Sequence, residues 1–368
     1  MASKLFELRD LGQSIWFDDI NRDVIHSGRL KELRDRYAVT GGTSNPTIFE
    51  KAFTGSDAYE EHFRALEKRN WPPERIVDEL QITDVQLAAD LFREVFDRTN
   101  GDDGYVSIEV SPLIANDTEA TIREARRIWE AVNRPNVMVK IPGTSAGIPA
   151  IETCLSEGIN INITLLFSIS NYAQVAHVFM SALEKRLEAG EPIDKIASVA
   201  SFFVSRVDTL VDSKIDAQGD AELAELRGKV GIANAKLAYQ RYLELFGSGR
   251  WQRLADAGAR VQRCLWASTS VKDPRYRDVM YAEELAGPNT VDTMPESTIL
   301  AFEDHGEVAP RLTMDVGAAI DVLRRLGERG ISLDAITDQL QVEGVQKFVD
   351  SYNQALQAIR QRSHGVNV

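Results

Sequence analysis

Residues 159–166 read ININITLL, a stretch in which apolar and polar side chains alternate until its last two residues. The apolar positions are Ile159, Ile161, Ile163 and Leu165. The polar positions between them are Asn160, Asn162 and Thr164. Because successive side chains of a β-strand point to opposite faces, the stretch predicts a strand with one apolar and one polar face.

Two strand-like runs earlier in the chain show the same alternation. In VSIEVS (106–111) the polar set contains Glu109, and in VMVKI (137–141) it contains Lys140. A sheet with one face in water would give this pattern, and so would a barrel whose apolar residues face surrounding helices. A lysine at the end of a buried strand is costly unless its ammonium group is paired or hydrogen-bonded.

Eight strand-like runs alternate with longer helical patterns along the chain. The runs are SIWFDD (14–19), AVTGGTSNP (38–46), YVSIEVSP (105–112), NVMVKIPGT (136–144), GININITLLFS (158–168), SVASFFVSRVD (198–208), VQRCLWASTS (261–270) and NTVDTMP (289–295). Between them, stretches such as 118–132 and 171–190 place apolar residues at helical spacing. This repeated alternation of strand and helix predicts an α/β fold, a closed (β/α)8 TIM barrel.

The chain is longer than the roughly 250 residues of a plain barrel, and we expect the excess to be helical. A helical insertion is predicted at about 47–104, a helical excursion at about 209–260 and a C-terminal helix at about 332–362. No linker, repeat or low-complexity tract divides the sequence, so residues 1–368 are expected to form a single barrel domain. The residues through which the C-terminal helix should pack on the barrel are Leu340, Val345, Phe348 and Leu356.

Barrel geometry would bring several polar residues to one place. If the apolar residues face the helices, Glu109, Lys140 and Thr164 point inward near the C-terminal ends of adjacent strands, where barrel enzymes build active sites. A partly desolvated amine at Lys140 can attack a carbonyl carbon and form a Schiff base. Glu109 and Thr164 can shuttle protons through a water during imine formation. The sequence therefore predicts carbonyl chemistry at the barrel mouth.

Charged residues after other strands extend the predicted site. Asp18, after the first strand, is a second carboxylate that can act as the base in carbon–carbon bond cleavage, or can cap the next helix. Arg206 follows the sixth strand and Lys272 follows the seventh, at positions where barrels often bind phosphate. Loop entries commonly carry basic side chains, so either cation can also be an ordinary surface residue.

Composition argues against several classes of function. The formal net charge of −14 disfavours nucleic-acid and anionic-membrane partners, because both select clustered lysine and arginine. Cys154 and Cys264 fit no disulfide, redox or metal-ligand spacing, and no two of the five histidines have the spacing of helical metal ligands. We therefore expect no histidine-based metal site. Charges throughout the N-terminal residues and the lack of a long apolar run favour a cytoplasmic protein.

Several ordered motifs resemble the transaldolase family. They are GGTSNPT (41–47), SIEVS (107–111), VKIPGT (139–144), GININITLLFS (158–168), ASFFVSR (200–206) and WAS (266–268), with WFDD (16–19) as a looser match. The resemblance implies transfer of a dihydroxyacetone unit from a ketose phosphate, such as sedoheptulose 7-phosphate or fructose 6-phosphate. The acceptor it implies is an aldose phosphate, such as glyceraldehyde 3-phosphate or erythrose 4-phosphate. Its implied partners are therefore sugar phosphates, with neither a cofactor nor a metal.

The resemblance also implies a role for each site residue. Lys140 matches the Schiff-base lysine, and Asp18 matches the carboxylate that takes the proton from the C4 hydroxyl. Glu109 with Thr164 matches the pair that holds the catalytic water. The residues at substrate-binding positions are Asn45, Asn162, Ser201, Phe203, Arg206 and, as the loosest match, Lys272. Among these, Ser201 and Arg206 match the phosphate-binding pair.

Two questions stay open from the sequence. WFDD contains both Asp18 and Asp19, and because neighbouring side chains of a strand face opposite ways, only one of them can point inward. A class I aldolase that releases dihydroxyacetone would share the barrel, the lysine and the carboxylates. A barrel that binds sugar phosphates without catalysis would need neither the amine nor its acid–base partners, and this sequence has all of them.

Overall fold

The computed structural model describes residues 3–44 and 46–365. Its eight parallel strands pair in chain order, and the eighth pairs with the first to close the barrel. The strands are β1 Gln13–Phe17, β2 Val39–Thr43, β3 Val106–Glu109, β4 Val137–Pro142, β5 Ile161–Leu166, β6 Ser198–Phe203, β7 Arg263–Ala267 and β8 Thr290–Met294. Each strand overlaps one predicted run, so the predicted (β/α)8 barrel is confirmed.

Helices surround the barrel and account for the three predicted helical regions. They are α1 Lys4–Asp10, α2 Arg22–His26, α3 Arg29–Arg36, α4 Pro46–Gly55, α5 Glu60–Glu67, α6 Pro73–Arg98, α7 Thr118–Val132, α8 Gly147–Ser156, α9 Ile169–Glu188, α10 Ser205–Gln218, α11 Ala221–Ala224, α12 Val230–Phe246, α13 Gly249–Asp256, α14 Met280–Glu284, α15 Glu296–His305, α16 Val316–Glu328 and α17 Leu333–Gly365. Helices α4 to α6 fill the predicted insertion, α10 to α13 the predicted excursion, and α17 the C-terminal segment. No helix among the described residues has the length and apolar character needed to cross a bilayer.

The apolar faces of the strands pack against the ring of helices. Val139 of β4 and Ile161 of β5 are fully buried in one cluster with Phe179 of α9. The side chain of Ser168 caps α9 by accepting a hydrogen bond from the backbone N–H of Asn171, which sets where that helix begins. The apolar faces therefore point outward and the polar faces point into the barrel, as the alternation predicts.

Leu165 departs from the predicted alternation. Its backbone φ is +58°, and the pairing of β5 with β6 is irregular between Ile163 and Leu166. Leu165 packs with Phe167 and Phe203 inside the barrel mouth, and Leu166 takes the position against the helices. The expectation that Leu165 shares the outward face of Ile163 is wrong, because the irregularity reverses the side-chain alternation.

The C-terminal helix α17 joins the barrel mouth to the helical insertion. Leu340 and Phe348 are buried in the cluster that contains Leu165, and Val345 packs partly buried against the same cluster. Leu356 packs instead among aromatic residues of α4 and α5. The first three predicted contacts of this helix therefore lie at the barrel, and the fourth lies on the insertion.

We expect replacement of Phe348 by alanine to loosen α17. The phenylalanine is only 4% exposed, and removal of such a side chain costs about 3–5 kcal/mol of folding free energy. Val342→Ala on the same helix, where the valine is 72% exposed, is the matched control. Limited proteolysis should cut α17 faster in the Phe348 variant only, and urea unfolding should show the loss of stability. Equal proteolysis of both variants would contradict this packing role.

Candidate active site

Three adjacent strands bring the predicted polar residues together. Along β3, β4 and β5, Glu109 pairs with Lys140, and Lys140 pairs with Asn162. Thr164 lies two residues further along β5, opposite Pro142. Because parallel strands end at the same edge of a barrel, these residues meet at its C-terminal mouth.

The side chain of Lys140 is buried at the barrel mouth. Its Nζ atom is 3.8 Å from Oε2 of Glu109 and donates a hydrogen bond of 3.3 Å to the carbonyl oxygen of Ser44. The side chains of Lys140 and Glu109 are only 7% and 5% exposed. One carboxylate and one carbonyl group thus compensate the buried ammonium group, which explains how a lysine can lie two residues before the end of this strand. The same position lets the amine attack a carbonyl carbon.

The carboxyl group of Glu109 is placed to exchange protons near neutral pH. Burial raises its pKa to about 7, although the charges of Lys140 and Arg206 lower it. Within the described residues, neither oxygen of Glu109 has a hydrogen-bond partner, and the buried hydroxyl of Thr164 has none either. These groups retain their hydrogen-bonding capacity for a substrate. A carboxyl group that is partly protonated at pH 7 suits a general acid beside the amine.

The two aspartates after β1 differ in their surroundings. Burial, helped by the charge of Asp19 and opposed by the charges of Lys272 and Lys140, raises the pKa of Asp18 to about 7. Burial also raises the pKa of Asp19, whose carboxyl group accepts a hydrogen bond from Asn21 just before α2. Asp18 is therefore the aspartate that shares the electrostatic environment of the lysine at the barrel mouth.

Asn162 and Ser201 belong to a hydrogen-bonded row across the barrel. The amide of Asn162 donates to Oγ of Ser107 at 2.9 Å and accepts from the hydroxyl of Ser201 at 2.6 Å. Ser201 is only 1% exposed, and its hydroxyl group is hydrogen-bonded to Asn162. Phe203, two residues nearer the mouth, contacts Arg206, whose guanidinium carbon lies 4.9 Å from the ring centroid.

A cavity of about 650 Å³ opens beside Arg206. The basic residues that line it are Arg206 at the start of α10, Lys272 after β7 and Lys347 on α17. Ser205 and Ser268 also line the cavity, and their hydroxyl groups are 2.9 Å apart. These two serines are positioned to bind an anion there. Three basic side chains and two hydroxyl groups are groups that can bind a phosphate.

The sequence patterns did not single out Lys347, Ser268 or Asp292. Lys347 lies on a helix far from the other cations in the chain, and no local pattern marks it. Ser268 belongs to the WAS motif, which could have pointed to it. Asp292 is fully buried on β8, accepts a hydrogen bond of 2.7 Å from Thr269, and has a pKa that burial raises well above its usual range. In the sequence, the only indication of Asp292 was that a single aspartate lies within the strand TVDTM.

The described residues of the site support one kind of chemistry. They combine an amine, two carboxyl groups with pKa values of about 7 and a basic cavity. Such a set can form an imine with a phosphorylated carbonyl compound and then break a neighbouring carbon–carbon bond. The predicted substrate-binding residue Asn45 lies outside the described residues. Within the described part of the chain, no group of three or more His, Cys, Asp or Glu side chains could hold a metal ion.

Comparisons with known proteins cover nearly the whole chain. Residues 15–359 match the family model described as transaldolase/fructose-6-phosphate aldolase. A protein named Transaldolase 2 from Nostoc sp. is 47% identical over 366 residues, which cover 96% of each chain. A protein named Transaldolase from Acidothermus cellulolyticus is 48% identical over 364 residues, or 98% of this chain and 96% of that one. Transaldolase 2 from Streptomyces coelicolor is 47% identical over 362 residues, which cover 97% of this chain and 96% of its own.

Proposed function

Because this chain belongs to the transaldolase/fructose-6-phosphate aldolase family, we propose that its transaldolase activity moves a dihydroxyacetone unit between sugar phosphates through an imine on Lys140. The donor is a ketose phosphate such as sedoheptulose 7-phosphate or fructose 6-phosphate. The acceptor is an aldose phosphate such as glyceraldehyde 3-phosphate or erythrose 4-phosphate. The observation that carries this proposal is the buried Lys140 amine, 3.8 Å from the carboxylate of Glu109 at the barrel mouth.

Imine formation is the first chemical step. A proton passes from the ammonium group of Lys140 to the carboxylate of Glu109, and the resulting amine adds to the C2 carbonyl group of the ketose to give a carbinolamine that carries a hydroxyl group. The carboxyl group of Glu109 donates a proton to that hydroxyl, which leaves as water. Thr164 orients the departing water. Both groups have oxygens with unused hydrogen-bonding capacity, which this step requires.

Cleavage of the C3–C4 bond follows imine formation. Asp18 removes the proton of the C4 hydroxyl, the C3–C4 bond breaks, and its electron pair moves into the protonated imine to give an enamine. The aldose phosphate leaves as an aldehyde, and the dihydroxyacetone unit stays on Lys140. An acceptor aldehyde then adds through the reverse steps, with Asp18 returning the proton. Water finally hydrolyses the imine and releases the new ketose phosphate.

Substrate binding uses the basic cavity and the neighbouring polar row. Arg206 and Lys272 hold the phosphate group, and contact with the ring of Phe203 positions the guanidinium without neutralising its charge. Asn162 and Asn45 bind sugar hydroxyl groups or the enamine. Neither a cofactor nor a metal takes part. We place the enzyme in the non-oxidative pentose phosphate pathway of the cytoplasm, because its substrates are the sugar phosphates that this route interconverts.

Product analysis tests transfer against simple aldol cleavage. With fructose 6-phosphate and erythrose 4-phosphate, the purified protein should yield sedoheptulose 7-phosphate and glyceraldehyde 3-phosphate in equal amounts. Without the acceptor we expect little free dihydroxyacetone, because the enamine stays bound to Lys140. Release of dihydroxyacetone at the same rate with and without acceptor would identify an aldolase. No product under either condition would favour a barrel that binds sugar phosphates without catalysis.

A further inference from the structure

Three cations line the basic cavity. In the described part of the chain, none of Arg206, Lys272 and Lys347 forms an ion pair. Glu343 lines the same cavity, and its carboxylate accepts a hydrogen bond from the neutral amide of Gln339 and, within the described residues, forms no ion pair with these cations. In a chain with a net charge of −14, such a group of cations is conspicuous. An anion bound between the charges would reduce their mutual repulsion.

Helix α17 brings Lys347 to this cavity through a close contact with the barrel. A Cβ atom at Gly344 would lie 2.9 Å from Cδ2 of Leu165 and 3.6 Å from Nη1 of Arg206, so the glycine permits the helix to approach. Phe348, buried in the same cluster as Leu165, holds the helix in place. Because Lys347 follows Gly344 by three residues, both lie on one side of the helix, and docking places the ammonium group beside the arginine.

Burial and the charges around the cavity lower the pKa of Lys347. Burial lowers the pKa of Lys347, and the charges of Arg206, Lys272 and Lys51 lower it further. A phosphate dianion would remove this repulsion, because its oxygens can accept a charge-assisted hydrogen bond from each cation. An unphosphorylated sugar offers only neutral hydroxyl groups and would leave the charges uncompensated.

We propose that Lys347 is a phosphate-binding residue that makes the enzyme select phosphorylated sugars, and that it enters the site only when α17 is docked. The inference rests on the proposed function, because it assigns a further residue to the same site. The last helix thereby supplies a charge that the residues after β6 and β7 do not. Loss of one charge-assisted hydrogen bond predicts a preference for phosphorylated sugars that is about 10- to 100-fold weaker.

Borohydride trapping of the imine measures this preference. For fructose 6-phosphate and for fructose, intact mass gives the sugar concentration at half-maximal trapping, and the ratio of the two concentrations is the preference. In Lys347→Met we expect this ratio to move toward unity by about 10- to 100-fold. Lys347→Arg keeps the charge and should retain most of the preference. Lys214→Met, at an exposed lysine of α10 outside the cavity, should keep the wild-type ratio.

Binding of inorganic phosphate gives a measurement that does not depend on catalysis. Phosphate should raise the melting temperature of the wild-type protein more than that of Lys347→Met. An unchanged preference together with unchanged phosphate stabilisation would overturn the role of Lys347. Equal weakening of trapping with both sugars would also overturn it, because a structural role affects both. If the wild type trapped neither sugar, the proposed function would fail, and phosphate stabilisation would still decide the role of Lys347.

Discussion

Replacement of Lys140 by methionine is expected to abolish sugar transfer and covalent capture of the donor. Methionine keeps much of the apolar side chain but removes the amine, so no imine can form. We expect kcat/KM for fructose 6-phosphate to fall by about 10⁴-fold or more, because no neighbouring group can replace a covalent nucleophile. The fold should persist, since the variant removes a buried charge and Glu109, with a pKa of about 7, can take up a proton.

Borohydride reduction followed by peptide mapping checks this expectation. The wild-type protein incubated with fructose 6-phosphate should carry a reduced sugar adduct on Lys140, and the Lys140→Met variant should carry none. Lys140→Arg is the matched control, because it keeps a positive charge beside Glu109 without a nucleophilic amine, and it should be equally inactive. If Lys140→Met still captured the sugar, another lysine would form the imine.

Asp18→Asn is expected to slow carbon–carbon bond cleavage, the second largest effect on activity. Asparagine keeps the shape of the side chain but cannot accept the proton of the C4 hydroxyl, so cleavage should slow by about 10²- to 10⁴-fold. Imine formation uses Lys140 and Glu109 and should continue, so borohydride should capture the uncleaved six-carbon donor. Asp19→Asn is the matched control and should keep most of the activity. If Asp19→Asn lost activity and Asp18→Asn kept it, the base would be Asp19.

The raised pKa of Asp18 also predicts two effects of pH. Its carboxyl group, with a pKa of about 7, must be ionised to act as the base, so kcat/KM should fall as the pH drops below 7. An ordinary aspartate has a pKa of about 4, so between about pH 4 and 7 the folded protein binds more protons than the unfolded chain. Stability contributed by this group is therefore lost as the pH rises through that window.

Thermal unfolding of Asp18→Asn at two pH values measures this loss. The variant has no carboxyl group to ionise at this position, so it should melt above the wild type at pH 8. At pH 5, where the wild-type carboxyl group is largely protonated, the two proteins should melt at closer temperatures. A difference in melting temperature that is the same at both pH values would show that ionisation of Asp18 does not destabilise the fold.

Eight alternations of strand and helix predict the barrel, and the alternation of polar and apolar residues within its strands predicts which residues point into it. In ININITLL and VMVKI the period of two decides which side chains face the helices. A closed barrel then leaves the polar set only its interior, and parallel strands bring Glu109 and Lys140 to the same edge. The direction of each side chain depends on its position within the strand, and the sequence of that strand shows it.

Features that depend on contacts between distant parts of the chain could not be predicted in this way. Leu165 points inward because of an irregularity in the pairing of β5 with β6, and nothing in the sequence ININITLL indicates that irregularity. Lys347 reaches the cavity only when α17 docks on the barrel. The sequence of α17 shows an amphipathic helix but not which surface it packs against.

The position of α17 also sets the order in which the site is assembled during synthesis. Strand β8 ends at Met294, and Lys347 follows about 50 residues later. At roughly 5–20 residues per second, the ribosome needs about 3–10 s to add that stretch. During this interval a nascent chain has made every barrel strand and its nucleophile, while Leu165 and Phe203 lack their covering helix. The uncovered mouth is then the surface at which chaperone binding or aggregation would begin.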